Sequence, residues 1–530
     1  MNLTELLNKA QAFLDSQNYI EAKKYFKKIQ KKLPTDTSIL NTLAFIEITL
    51  DNKNIAADLM KRSLLINPNQ PQIESNLGAY YLEKNELEDS LGRFEKAILL
   101  EPDNSVFFSN KAKVLGEMLQ FDNAINFYRQ SIKLNKNNFF AYINSAVLLN
   151  KVTRYYEAIE VLDELIKINS NIPETYYNLA ITYENLCQPD KAIDNYLKVL
   201  TFEGNHKADE VSLFKEENYI ETHFNLSLLY LNKKFFMKGW HEYEYRDAVI
   251  KPPEYIKKIK ESLNISFKDN LLIWGEQGVG DQIIYSSMLK ELDHSNITLA
   301  IDQRLIPIYK RSFSKINLVD LKSLLTNEIE FDAHIPLASL GNYLRPDKKS
   351  FRNQPISFLK PDIKKVNFYK NLLSNKKIKC GISWKSKNEK IGQEKSLSLH
   401  QLLPIFTNSK LEFVDLQYGD NENEKKQLFE SHNVDFINTD LDKFNNLDDL
   451  IALIDACDLV ITSSNVTAHF AGSIGKKTYL MIPNNIGNIW YWHDEKSSCW
   501  YPSIKIYRQT EPKDWSSVIK KIDKEIRVNF

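Results

Sequence analysis

Pro34, Pro68 and Pro102 stand 34 residues apart, and Lys136, Ser170 and Gly204 continue the same step. Small residues recur with that period at two positions: Ala10, Ala44, Gly78, Ala112, Ala146 and Ala180 at the first, Ala22, Ala56, Ser90, Ala124, Ala158 and Ala192 at the second. Two helices that cross closely need a small residue from each at the crossing, and Leu77, Tyr81, Phe94 and Ala97 supply the surrounding packing in one unit. One such pair cannot bury its apolar face alone, so the pairs must stack. The register slips after Gly204, where HKADEVSLFKEENY intervenes before a last pair with Ser227, Gly239 and Tyr243 in the packing roles.

This period and these positions resemble the tetratricopeptide repeat. Residues 1–246 are expected to form an α-solenoid of about seven repeats, with an insertion near 205–218 and the last repeat as a cap. Asn76, Asn110, Asn144 and Asn178 share one repeat position on the first helix, and Asn225 takes it in the last repeat. A carboxamide donates and accepts at once, which suits an extended peptide backbone; water-facing side chains common at that position are the alternative. The layout resembles the protein O-GlcNAc transferases, and that resemblance implies a ladder holding a polypeptide acceptor. Trp240, Tyr243 and Tyr245 at the end of the last pair are expected to pack against the next domain.

With 530 residues the chain has room for two to four domains, and 69 basic against 69 acidic side chains give no net charge. Nucleic acid is therefore not an expected partner. The amino terminus lacks a signal-peptide pattern and no apolar run approaches a bilayer-spanning length. Cys187, Cys380, Cys457 and Cys499 lack pairing or metal spacing. A cytoplasmic location and no metal are the expectations.

After a charged connector at 247–268 the period changes. LLIW, ITLAI, INLVD and AHIPL read as strands of one α/β half at 269–360; KIKCGISW, LEFVDLQ, VDFIN, DLVIT and KTYLMI read as strands of a second at 361–530. The fold class expected is thus α plus α/β, a solenoid followed by two Rossmann-like halves facing across a cleft.

Within Asp458–Pro483 a strand runs into a short polar loop and a helix, and a helix amino end beside small hydrogen-bonding residues favours an anion. Ser463, Ser464, Asn465 and Thr467 are the expected diphosphate contacts, with a plain N-cap role as the alternative. GEQGVGD carries Gly278 and Gly280 between strand and helix, lacks the dinucleotide fingerprint, and places Asp281 as either a base or a helix cap. Lys385 and Lys387 follow the strand KIKCGISW, where a cation would offset a leaving diphosphate. Gln417, Tyr418 and Asp420 end LEFVDLQ, the expected nucleoside side.

Taken in order, GWHEYEYR, LLIWGEQGVGDQIIYSSML, CGISWKSK, KSLSLHQLLPIF, FVDLQYGDNENE, DLVITSSNVTAHFAGSIGK and SSCWYPSIKIYRQ are similar to the ADP-heptose-type heptosyltransferases, glycosyltransferase family 9, and to bacterial tetratricopeptide proteins carrying such a domain. The resemblance implies a metal-independent GT-B enzyme with Asp281 as base and the Ser464–His469 segment as donor loop. There Ser464 and Asn465 replace the family's usual Asp and Thr, while His469 is kept. The resulting expectation is transfer of a sugar from a nucleotide-diphosphate donor, without a further cofactor, to a protein hydroxyl selected by the repeats. A saccharide or lipopolysaccharide acceptor, and a non-catalytic scaffold that only binds the nucleotide sugar, are the alternatives.

Overall fold

The computed structural model describes residues 1–204, 214–248, 270–292, 296–325, 329–388, 391–484, 487–493 and 495–529. From residue 249 onward, the expected connector lies outside them. The chain divides into two compact units, Met1–Phe214 and Lys215–Phe530.

Among the described residues the first unit holds six helix pairs, from Leu3–Asp15 with Tyr19–Lys32 to Pro173–Asn185 with Pro189–Leu200. Both series of alanines are almost completely buried. Gly78 is required where it stands, because a Cβ there would lie 3.0 Å from Phe94 Cζ, and Ser90 Oγ donates to the Gly78 carbonyl at 2.8 Å. Within each pair the turn is made by one left-handed residue: Gln17, Asp51, Asn85, Leu119, Thr153 and Cys187 have φ between 55° and 63° and follow the 34-residue step. The next N–H then reaches back five residues, Asn18 to Phe13, Asn52 to Glu47, Glu86 to Tyr81, Gln120 to Leu115, Arg154 to Leu149 and Gln188 to Tyr183 (2.8–2.9 Å). This is the Schellman closure, used six times.

The seventh pair, Glu216–Asn232 and Phe236–Tyr243, belongs to the second unit rather than to the solenoid that was expected to run to 246. Gly239 is its crossing residue, since a Cβ there would meet the Leu231 backbone nitrogen at 2.9 Å. Trp240 is fully buried, donates Nε1–H to the Arg345 carbonyl at 2.9 Å, and stacks edge-on against Trp490 and Trp500. The expected packing of this aromatic end is therefore seen for Trp240 and Tyr243.

Among the described residues ten strands follow: β1 Leu271–Trp274, β2 Ile297–Ile301, β3 Asn317–Asp320, β4 Ala333–Pro336, β5 Ile378–Ser383, β6 Leu411–Asp415, β7 Phe436–Ile437, β8 Leu459–Ser463, β9 Thr478–Ile482 and β10 Ile504–Arg508. They make two parallel sheets, ordered β3-β2-β1-β4 and β10-β9-β8-β5-β6-β7. The second order is that of a doubly wound nucleotide-binding sheet, and it reverses between β5 and β8; the first reverses between β1 and β4. β1, β8 and β9 are buried along their whole length, as parallel strands covered on both faces must be.

β10 was not expected as a strand, because its central residues alternate with exposed Lys505 at a sheet edge. The helix after β1 starts at Val279, stops at Tyr285 and continues as 3₁₀ over Ser286–Glu291. Tyr309 Oη donates to the Gln282 carbonyl at 2.9 Å and Ser286 Oγ to that of Ile283 at 2.7 Å, so both carbonyls are satisfied by side chains where the α-helix ends.

Candidate functional site

The carboxyl ends of β1, β5 and β8 carry the residues of interest. After β1 the loop Gly275–Gly278 has Gln277 at φ 59° and buries Glu276, whose carboxylate takes Arg246 Nε at 2.8 Å and Nη2 at 2.9 Å and the Ala338 N–H at 3.2 Å. Gly278 opens the next helix and its N–H donates to Asp281 Oδ2 at 3.3 Å. Asp281 is partly buried. Desolvation, with Glu276 adding repulsion, pushes its carboxyl up to about 6 against the Gly278 N–H and the Lys395 ammonium.

Gly280 rests on His469: a Cβ there would stand 2.8 Å from the ring Cδ2. His469 sits between two hydroxyls, Tyr501 Oη at 3.0 Å from Nδ1 and Tyr491 Oη at 3.3 Å from Nε2. Burial, and then Lys395, hold it down to about 3, so it is neutral at ordinary pH. It serves as a wedge between the helices Val279–Tyr285 and Val466–Ser473.

Several of the expected donor residues make structural bonds. Asn465 caps its helix by accepting the Thr467 N–H at 2.9 Å, while its amide donates to Ser383 Oγ at 2.7 Å and the Lys385 carbonyl at 3.1 Å. Gln417 Oε1 accepts the N–H groups of Trp384 and Lys385, both at 2.8 Å. These two saturated amides tie the loops after β5, β6 and β8 together. Ser463 is buried, and Ser464 accepts Trp492 Nε1–H at 2.8 Å. Thr467 differs: it is fully buried and its Oγ1 has no hydrogen-bond partner among the described residues.

Lys385 is paired with Glu424, Lys387 is exposed beside Gly419, and Tyr418 Oη accepts the Lys387 N–H at 3.4 Å. Asp420 is exposed and accepts the Glu422 N–H at 3.4 Å. Among the described residues neither lysine is brought to Asp281.

Lys395 is the cation that sequence reasoning missed. It lies on the short helix Gly392–Lys395, is 4% exposed, and has no carboxylate within 4 Å among the described residues. Burial pulls its ammonium down to about 8 against the favourable field of Asp281. Its sequence signal is the lysine that opens KSLSLHQLLPIF, with no strand directly before it to mark it as a ligand. Lys395 thus lies within the electrostatic reach of Asp281 and of His469, on whose helix Thr467 keeps a buried hydroxyl without a hydrogen-bond partner among the described residues.

In the first unit Asn76, Asn110 and Asn144 are partly exposed, whereas Asn178 is buried. Asn76 Oδ1 accepts from Gln72 at 2.9 Å, and Asn178 donates to its own helix at the Glu174 carbonyl, 2.8 Å. Asn225 is partly exposed in the second unit.

Among the described residues no helix is long and apolar enough to cross a membrane. The tetratricopeptide repeat family model matches residues 107–138 and 173–206. Protein FlbA of Caulobacter vibrioides is 26% identical over 314 residues, 55% of this chain; the chain spans about half (52%) of that relative's length. Similar solved structures include Pseudomonas aeruginosa PilF (19% identity, TM-score 0.33, 39% of this chain and 94% of that one) and YrrB, a TPR protein with an unusual peptide-binding site (19%, 0.29, 34% and 93%). A tetratricopeptide protein from Parabacteroides merdae is 17% identical, with TM-score 0.39 over 48% of this chain and 96% of its own. At such scores the repeat assignment rests on the matched segments and on the recurrent helix-pair geometry: the first part of this chain is a tetratricopeptide-repeat solenoid, followed by an α/β unit.

Proposed function

We propose that the second unit is a GT-B glycosyltransferase that moves a sugar from a nucleotide-diphosphate donor to a hydroxyl, and that the repeats supply a protein acceptor. The observation that carries this reading is Lys395, a buried ammonium in the field of Asp281 but with no carboxylate within 4 Å among the described residues, near the strand ends where doubly wound folds bind nucleotides. The ordered resemblance to glycosyltransferase family 9 supports the same assignment.

In the proposed step, the acceptor oxygen attacks the anomeric carbon as the bond from that carbon to the phosphate oxygen breaks. Asp281 takes the acceptor proton. Lys395 and the amino end of Val466–Ser473, with Thr467 Oγ1, neutralise the charge on the departing diphosphate. Asn465, Gln417 and His469 hold the loops in register and touch no substrate.

Tetratricopeptide repeats favour a protein partner, and Asn76, Asn110 and Asn144 lie on first helices that touch their neighbours in succession. Incubating the full chain with labelled nucleotide sugars and cell-extract protein tests the whole scheme. Label on polypeptide that falls when those three asparagines become alanine supports it; binding of the donor without transfer favours the scaffold reading, for which the Trp492-bonded Ser464 in place of the family's Asp is the supporting observation. Absence of any nucleotide-sugar binding would remove both.

A further inference from the structure

The loop after β7 is built to hold one side chain in the open. Asp442 accepts the N–H groups of Phe444 and Asn445 at 3.1 and 3.0 Å and the Asn445 amide at 2.8 Å. Lys443 reaches inward to Asp415 at the end of β6, Nζ to Oδ2 3.2 Å, and that carboxylate, 1% exposed, also takes Lys425 Nζ at 2.9 Å. From the other sheet's side Arg304, clamped by Asp302 through two bonds of 2.9 and 2.7 Å, donates Nη1–H to the Phe444 carbonyl at 2.9 Å. All this fixes a loop whose tip, the Phe444 ring, is 51% exposed.

A rigid backbone displaying a large apolar ring is a preorganised contact surface, because no ordering of the loop remains to be done on binding. The surroundings narrow the ligand. Arg304 Cζ lies 5.0 Å and Lys387 Nζ 5.8 Å from the ring centroid, and the Tyr418 ring stands 6.4 Å away, tilted by 47°. A cation-flanked ring beside a second aromatic suits a flat, electron-rich heterocycle stacked in an offset manner. The position agrees: Tyr418 and the Asp415 anchor mark the carboxyl end of β6, next to β5, on the side of the switch point away from β8. In doubly wound sheets the phosphates sit at the switch point and the nucleoside extends over the neighbouring strand. Asp415 is already neutralised by two lysines and is spent on the loop.

We infer that Phe444 is the stacking platform for the nucleobase of the donor nucleotide, an assignment that rests on the donor reading of the pocket at Lys395. Arg304 and the Asp442 turn are positioning groups for that ring.

The test is calorimetric titration of the full chain and of Phe444→Ala and Phe444→Trp with UDP, ADP, GDP and CDP, and separately with inorganic pyrophosphate. The nucleoside diphosphate that binds the parent should bind Phe444→Ala about tenfold more weakly, the order of one lost base–aromatic stack, and Phe444→Trp within about twofold of the parent. Pyrophosphate affinity should be the same in all three. Equal nucleotide affinity in the parent and Phe444→Ala overturns the platform and leaves the phosphate pocket standing. An equal loss for pyrophosphate overturns it also, by assigning Phe444 to the integrity of the loop. If no nucleoside diphosphate binds the parent chain, the donor reading falls and the platform with it.

Discussion

Gly280 and His469 are in contact across two helices, so close that a methyl group on Gly280 would stand 2.8 Å from the imidazole Cδ2 and 3.0 Å from Nε2. His469 has nowhere to go, since Tyr491 and Tyr501 hold both ring nitrogens. Gly280→Ala should therefore destabilise the second unit by about 1 to 3 kcal/mol, the range for forced overpacking. By shifting Asp281 it should also lower transfer, if that residue is the proposed base. Urea unfolding read by tryptophan fluorescence, which reports this unit's aromatic core, checks the first part. Unchanged stability would mean that the two helices are free to separate.

Asp281→Asn should lower transfer by about 10² to 10⁴ while nucleotide affinity is kept. If Asp281 is the proposed base, the parent rate should rise with pH through about 6 and then level, because it acts ionised. The stability effect has the opposite sign. A carboxyl whose folded pKa is raised from 3.8 holds its proton in the native state while the unfolded chain has lost it, so stability falls as pH rises from about 4 to 6. Removing the charge should stabilise the protein at pH 7 by about 1 to 2 kcal/mol, reduced for partial exposure. A destabilised Asp281→Asn would identify the residue as a helix cap.

Lys395→Met should leave the fold intact or firmer, since an ammonium buried without a counter-ion costs native-state free energy. Pyrophosphate and nucleotide affinity should fall at least tenfold. In the parent, anion affinity should decline above about pH 8 as the lysine loses its proton. Stability should rise between about 8 and 10.5, where the unfolded chain binds the proton that the native state has released. Pyrophosphate titrations at pH 7 and 9 decide this, and equal affinity in Lys395→Met would remove the lysine from the site.

Thr153 is β-branched and held at φ 63°, a region that favours asparagine or glycine. Thr153→Asn should raise the unfolding free energy of the first unit by about 0.5 to 1 kcal/mol. A lowered thermal midpoint would show that the threonine side chain makes up for its backbone elsewhere.

The repeats were readable because their evidence is covariant along the chain: Ala112 and Ala124 mean little alone, but the same pair recurs every 34 residues. The left-handed turns were not readable, since Leu119, Thr153 and Cys187 share no chemistry and only the backbone makes them equivalent. Every strand expected from an apolar run was found, whereas the alternating edge strand β10 escaped. At the site, sequence separated polar loops from apolar strands but not staples from ligands. Asn465 and Gln417 have suitable donors and acceptors, and the fold consumes all of them. Lys385 and Lys387 were favoured by adjacency to a strand, while Lys395 lies on a four-residue helix that carries no periodic signal. Phe444 was hidden for a similar reason: one phenylalanine in a polar loop has no partner in sequence to reveal its exposure.

A methyl group on Gly341 would lie 2.4 Å from the Trp240 indole, so the seventh helix pair is keyed into the α/β unit as firmly as its own strands are. As an object of recombination, then, the chain has its seam ahead of Glu216 and not at 246. A fragment beginning at 247 would carry an empty indole socket walled by Trp490 and Trp500, whereas one beginning at 215 takes its adaptor with it. Upstream of that seam whole repeats can be gained or lost in steps of 34 residues, so the length of the solenoid and the chemistry of the α/β unit are free to change by separate routes.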